Sequence, residues 1–171
     1  VYKNNDRREE YLGYLLKEII EVSKSIDKYK IKTIYVGGGT PTSLDYTMLE
    51  KLLQAIEKCF VSENLVEYTF EAGREDSLDF DKLKLLKKYN VTRISLNPQT
   101  FNGKALKAMG RIQNNDNLID LYTQAKNLGL TINMDFILGL LYDDVNNTRE
   151  NLGILSRLQP DNITFHTLSI K

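Results

Sequence analysis

Cysteine is nearly missing from this 171-residue sequence, which carries only Cys59. One thiol forms no intramolecular disulfide and cannot furnish an all-cysteine metal or iron–sulfur site. A reducing, cytoplasmic setting is the default expectation. An excess of one charge is missing too. Lys plus Arg and Asp plus Glu number 23 each, so no net field draws the chain to nucleic acid or an anionic membrane. No apolar run approaches the ~18 residues of a membrane-spanning helix. The opening VYKNNDRREEY has neither the apolar core nor the cleavage site of a signal peptide. What remains is globular in kind, 42% hydrophobic and 27% charged, with enough chain for one domain and a genuine core.

Hydrophobic spacing supplies the elements. Asp6 with Glu9 reads as a capping pair, opening a helix striped by Leu12, Leu15, Leu16, Ile19 and Ile26. Lys32 to Val36 reads as a strand. Asp45 opens a helix with Leu49, Leu52, Leu53 and Ile56 on one face, and Cys59 continues that face as an expected core residue. The alternation then repeats: strand 66–70, helix 80–89, strand 91–96 ended by Asn97-Pro98, helices 103–109 and 116–128, strand 130–138, helix 145–158 and strand 162–168. Short loops between alternating strands and helices predict parallel βαβ units. The five strands look apolar enough to be covered on both faces. The fold class is α/β, either an open doubly wound sheet or part of a (β/α) barrel. The whole of 1–171 reads as a single domain, with a leading helix in 1–30 and five strand–helix units in 31–171. A chain of parallel units that opens on a helix is expected to lack its first strand.

Ligands of parallel sheets sit at the carboxyl ends of the strands. There this sequence places Gly37-Gly38-Gly39-Thr40, Glu71, Asn97-Pro98-Gln99-Thr100, Asp135 and His166, with Arg111 beyond the third strand. Each has a plainer reading. Glu71 could open a solvated loop, Gln99 could cap the following helix, Arg111 could pair with a surface carboxylate, and His166 could be a hydrogen-bonded core residue. Asp135, between Met134 and Phe136 in a buried strand, must be paired or hydrogen-bonded. The glycines are not a phosphate loop, for there is no GK[ST], no GxGxxG, and Pro41 follows. Glycine lets backbone lie against a ligand, and carbonyls at a strand end suit an ammonium group.

YVGGGTPTSL, FEAGRED, RISLNPQTFN, the GR at 110–111, NMDFILGL and ITFHTLSIK stand in an order that resembles one radical S-adenosylmethionine family. That family is the oxygen-independent coproporphyrinogen III oxidases, or coproporphyrinogen dehydrogenases, in their oxidase-like branch. The resemblance runs from about Ile31 to Lys171. It implies a partial barrel of radical SAM type with a site for S-adenosylmethionine. Gly38, Gly39 and Thr40 would take the methionine ammonium, and Arg111 the methionine carboxylate. Glu71, Gln99 and Asp135 would bind the ribose hydroxyls and the cationic end, and the backbone near Leu168 would face adenine. The family's [4Fe–4S] cluster reductively cleaves the cofactor to a 5′-deoxyadenosyl radical, and substrate propionates become vinyl groups in haem biosynthesis. The resemblance therefore implies a tetrapyrrole substrate and an electron-donor protein as partners. A haem-binding chaperone, or a non-catalytic α/β binding domain, is the alternative on the same fold.

The sequence departs from the family in what it omits. The family's CxxxCxxC loop, which precedes the first helix, is not in it, so the chain reads as a fragment that is inactive by itself. No catalytic or metal residue is assigned within it. Glu75 replaces a usual proline, Leu141 follows Gly139-Leu140 where proline is usual, and Gln113 stands where histidine often follows the GR. A bared edge on strand 32–36 is expected to self-associate or to be covered by the first helix.

Overall fold

The computed structural model describes the backbone of residues 5–169 and the side chains of 7–169. The expected Asp6–Glu9 cap lies outside the described side chains. Helices are α1 (Asn5–Ser23), α2 (Tyr46–Phe60), α3 (Phe80–Lys88), α4 (Gly103–Ala108), α5 (Asn115–Asn127) and α6 (Val145–Leu158). Strands are β1 (Thr33–Val36), β2 (Glu67–Glu71), β3 (Arg93–Gln99), β4 (Thr131–Leu138) and β5 (Asn162–Thr167). Asp45, Asp79, Asn102, Asn114 and Asp144 each accept a hydrogen bond from the first turn of the helix they precede, a cap of about 1 kcal/mol apiece. Among the described residues, no helix is long and apolar enough to cross a membrane.

The sheet runs β1-β2-β3-β4-β5 with every neighbour parallel. A doubly wound sheet reverses its strand order at a switch point; this one never does. Unbroken sequential order with right-handed crossovers keeps all the helices on one side, which is the arc of a (β/α) barrel.

Register and the two-residue period of a strand then sort the side chains. The helix side carries Tyr68, Phe70, Ile94, Leu96, Ile132, Met134 and Phe136, all buried in one cluster with the α2, α3 and α5 leucines. The other side is polar. Glu67, Thr69 and Glu71 lie beside Arg93 and Ser95, then Asn133 and Asp135, then Thr164 and His166. These groups bond one another. Arg93 Nη1 reaches Glu67 Oε2 at 3.3 Å, Thr69 Oγ1 donates to Glu67 Oε1 at 2.8 Å, and Thr164 Oγ1 donates to Asn133 Oδ1 at 3.2 Å.

Four expectations need correcting. Coverage on both faces fails: the helices cover one face of β2, β3 and β4, while the polar face is buried only at Thr69, Ser95 and Asn133, half-buried at Glu71, Arg93 and Asp135, and open at the margins of the sheet. Tyr35 on β1 is 67% exposed and β5 is exposed along most of its length, because each has a strand neighbour on one side only among the described residues. Strand β3 does not stop at Asn97-Pro98; it absorbs them in a bulge and runs on to Gln99. Ile26 lies beyond the end of α1 and is exposed. Cys59 is half-buried rather than core, since it occupies the last turn of α2, where the helix leaves the sheet and lines a shallow pocket with Ile20, Ile26 and Lys58.

Candidate functional site

The glycines after β1 differ in what requires them. A Cβ on Gly37 would run into the Tyr35 ring and come within 2.9 Å of Glu71 Oε2. Gly38 has φ +112°, a conformation that side chains resist, and its N–H donates to Glu71 Oε2 at 2.9 Å. Around Gly38 and Gly39 a Cβ would meet nothing within 4 Å, so this stretch of backbone faces open space. Thr40 is left-handed at φ +41°, and its Oγ1 lies 3.1 Å from where a Gly73 Cβ would stand. The loops after β1 and β2 are thus fitted to each other. Lys82 Nζ clamps them by donating to Thr42 O (2.7 Å) and Ser77 O (2.9 Å). Burial holds this lysine's pKa below its ordinary value, against the opposing pull of Asp79 and Asp45.

Arg111 reaches the same place from α4. Gly110, at φ +68°, ends that helix, and its N–H bonds Lys107 O while the Arg111 N–H bonds Leu106 O. These are the two bonds of a Schellman cap, so the Gly-Arg pair stops the helix and aims the guanidinium. Nη2 donates to Gly73 O (3.2 Å) and to Asn97 O, joining the ends of β2 and β3. Nε is buried without a partner. Burial lowers the arginine's pKa, Arg74 adds to the effect, and Glu75 and Asp76 oppose it. The surface-pair reading of Arg111 is therefore set aside. Glu75 is itself buried, with Oε1 accepting from Asn114 N–H at 2.9 Å and Oε2 unpartnered.

Asp135 meets the pairing expected of it. Asn133 Nδ2 donates to Oδ1 at 2.6 Å, and Ser95 Oγ lies 3.4 Å from Oδ2. Gln99, at the end of β3 with φ +68°, buries its Oε1 without a partner. It is not a cap, for Asn102 caps α4. The Leu168 N–H donates to Leu138 O at 2.9 Å, carrying the β4–β5 ladder to the rim. His166 is exposed at the polar side of β5 opposite Ile137, so the buried-histidine reading fails.

Contact and hydrogen bonding therefore link Gly38, Thr40, Glu71, Arg111 and Asp135 through Gly73, Asn97 and Ser95. Gln99 and Leu168 stand at the ends of β3 and β5. A cleft of about 730 Å³ lies beside them, between Arg8, Tyr11 and Tyr14 of α1 and the stretch Val36–Leu44. Chemically the rim offers one half-buried cation with a buried, unpartnered N–H, two carboxylates, an unpaired amide oxygen and bare backbone. Sequence reasoning missed Tyr35, Ser95 and Asn133, and placed Asn97 at the strand end without giving it a role. For Ser95 and Asn133 the signal is the polar alternation in R-I-S-L-N and T-I-N-M-D, inside runs whose other residues read as apolar strand. Tyr35 lies close enough for Glu71 and Asp135 to add to the rise that burial gives its pKa, with Arg93 opposing.

A profile of the Radical SAM superfamily matches residues 4–152. The chain belongs to that superfamily. Within it, the chain is 40% identical to the oxygen-independent coproporphyrinogen-III oxidase-like protein HemZ of Bacillus subtilis (strain 168), over 94% of this chain and 32% of HemZ. It is 30% identical to the heme chaperone HemW of the same strain, over 95% of this chain and 43% of HemW. The chain thus spans less than half the length of either relative. The solved structure of coproporphyrinogen III oxidase (HemN) from Escherichia coli, a radical SAM enzyme, superposes with a TM-score of 0.91. That match covers 99% of this chain and 39% of HemN at 23% identity, a likeness of fold.

Proposed function

We propose that these residues form the S-adenosylmethionine site of a radical enzyme that oxidatively decarboxylates the propionates of a coproporphyrinogen-like tetrapyrrole. The observation that carries the reading is the set of unsatisfied groups at one rim. Arg111 Nε lacks an acceptor, Gln99 Oε1 lacks a donor, and the backbone at Gly38-Gly39 faces open space. An amino acid carboxylate suits the first, a hydroxyl the second, and an ammonium the carbonyls of the third. In this reading Arg111 binds the methionine carboxylate, and Gly38, Gly39 and Thr40 bind the ammonium. Glu71, Gln99 and Asp135 take the ribose hydroxyls and the cationic end, and the backbone at Leu168 borders the adenine. When bound beside a reduced [4Fe–4S] cluster, S-adenosylmethionine supplies a carbon radical that removes hydrogen from substrate. This chain's one cysteine lies on α2 away from the rim, so the cluster's thiolates are not among these residues. The chain's own part is to bind, orient and shield the cofactor.

A second reading, a haem chaperone on the same fold, is favoured by the 30% identity to HemW. The complete gene product, reconstituted anaerobically with iron and sulfide, separates the two. Release of 5′-deoxyadenosine together with decarboxylation of coproporphyrinogen III is expected. Stoichiometric haem binding without decarboxylation would favour the chaperone.

Gly37→Ala tests the site at the level of this chain. The new methyl displaces two side-chain ends, the Tyr35 ring and the Glu71 carboxylate, so folding is little affected while Glu71 leaves the Gly38 amide. S-Adenosylmethionine affinity is expected to fall about tenfold, with an unfolding midpoint within ~3 °C of wild type. Calorimetric titration and thermal denaturation read the two effects separately. Unchanged affinity would remove Glu71 from the site.

A further inference from the structure

We infer that Asn97 is a positioning residue of this site, holding Arg111 with its main chain and Asp135 with its side chain. The inference rests on the S-adenosylmethionine reading and deepens it. Along β3 and β4, Leu96 faces Met134 and Gln99 faces Phe136, so Asn97 and Pro98 together stand opposite Asp135. The extra residue disrupts the ladder locally and re-aims what it carries, and Pro98 has no N–H to lose from the ladder. The Asn97 carbonyl accepts from Arg111 Nη2. Its amide nitrogen faces Asp135 Oδ2 (2.9 Å), Ser95 Oγ (2.8 Å) and Leu96 O (3.2 Å), acceptors that its two N–H groups share, because the opposite orientation sets oxygen against the Asp135 and Leu96 oxygens. Asn133 holds the other carboxylate oxygen at 2.6 Å. One residue thus sets the spacing between the group that would take the methionine carboxylate and the group that would take the ribose or sulfonium end.

Asn97→Ala and Asn97→Asp separate this role from a merely structural one. The alanine variant keeps the carbonyl to Arg111 and loses only the amide, and binding of S-adenosylmethionine is expected to weaken about tenfold. The aspartate variant is nearly isosteric but sets a second carboxylate against Asp135 Oδ2. Two carboxylates so close do not both ionise readily, and they titrate as a pair. The other titratable or charged groups near the pair are Tyr35 on β1, Glu67 and Glu71 on β2, Arg93 on β3, His166 on β5 and, beyond α4, Arg111, whose Nη2 meets the Asn97 carbonyl. All are unchanged in the variant, so the ratio of variant to wild-type affinity isolates the new pair.

Calorimetric titration across about pH 5 to 8 should find the Asn97→Asp ratio poorest at the alkaline end. It should recover about tenfold or more toward the acid end, as the pair takes up a proton and donates again. Unfolding midpoints measured in parallel should stay within ~3 °C of wild type. Wild-type affinity in both variants would overturn the inference, as would losses that merely follow a fall in unfolding midpoint without pH dependence. No saturable binding by the wild-type chain would overturn the site reading itself, and this inference with it.

Discussion

Replacing Arg111 by alanine is expected to weaken S-adenosylmethionine binding by about thirtyfold to several thousandfold, the cost of truncating one side of a buried, hydrogen-bonded charge pair. Two carbonyl dipoles, from Gly73 and Asn97, hold this guanidinium in place. Dipoles satisfy N–H groups but do not neutralise a charge. Burial already lowers the arginine's pKa, which means that its charged form is less comfortable there than in water. A bound carboxylate would relieve that and occupy the idle Nε. Arg111→Lys keeps a cation but loses the planar fork, so it should fall between alanine and wild type. Alanine also strands the two carbonyls, at about 1–2 kcal/mol of stability. Unfolding in urea measures that loss separately from calorimetric binding. Wild-type affinity in Arg111→Ala would remove the carboxylate assignment.

Phe136→Ala is expected to cost about 3–5 kcal/mol of folding stability, the range for deleting a buried aromatic ring from a packed core. The ring is 1% exposed. It packs in a tilted arrangement, 5.7 Å between centroids, against Phe101, after β3, and at 5.7 Å against Phe165 of β5. Its deletion opens a cavity that three elements share. Against a total of about 5–15 kcal/mol for a domain, the loss lowers the unfolding midpoint by roughly 10 °C. Phe136 also faces Gln99 across the bulge, so S-adenosylmethionine affinity should weaken in step. A loss under about 1 kcal/mol in urea denaturation would mean that the ring is not the keystone of β4.

Helix α6 spans Val145–Leu158, the range its apolar spacing predicts, and Asp45 caps α2 as its position implies. Such elements are legible because capping chemistry and a 3.6-residue period are local. The lateral order of the strands is not local. Alternating strand and helix patterns fit a doubly wound sheet and a barrel equally, and only the pairing of β1 with β2 and onward decides between them. The end of β3 differs from the sequence expectation for a definite reason. Proline normally breaks a ladder, but here a bulge absorbs Pro98 and carries the strand to Gln99. The site divides the same way. Gly38, Arg111 and Asp135 stand out as residues that a strand end or a buried strand would not carry without cause. Ser95 and Asn133 are hidden because single polar residues between Ile94 and Leu96, and between Ile132 and Met134, look like interruptions of an apolar run. Only with the register known do they line up on one face.

The most direct test of the account is to titrate S-adenosylmethionine into the isotopically labelled chain and follow backbone and arginine side-chain resonances. Saturable shifts are expected at Gly38, Gly39, Asn97, Asp135 and the Arg111 Nε–H, with little change along the exposed faces of α2 and α3. No saturable shift, or shifts confined to residues away from these strand ends, would contradict it.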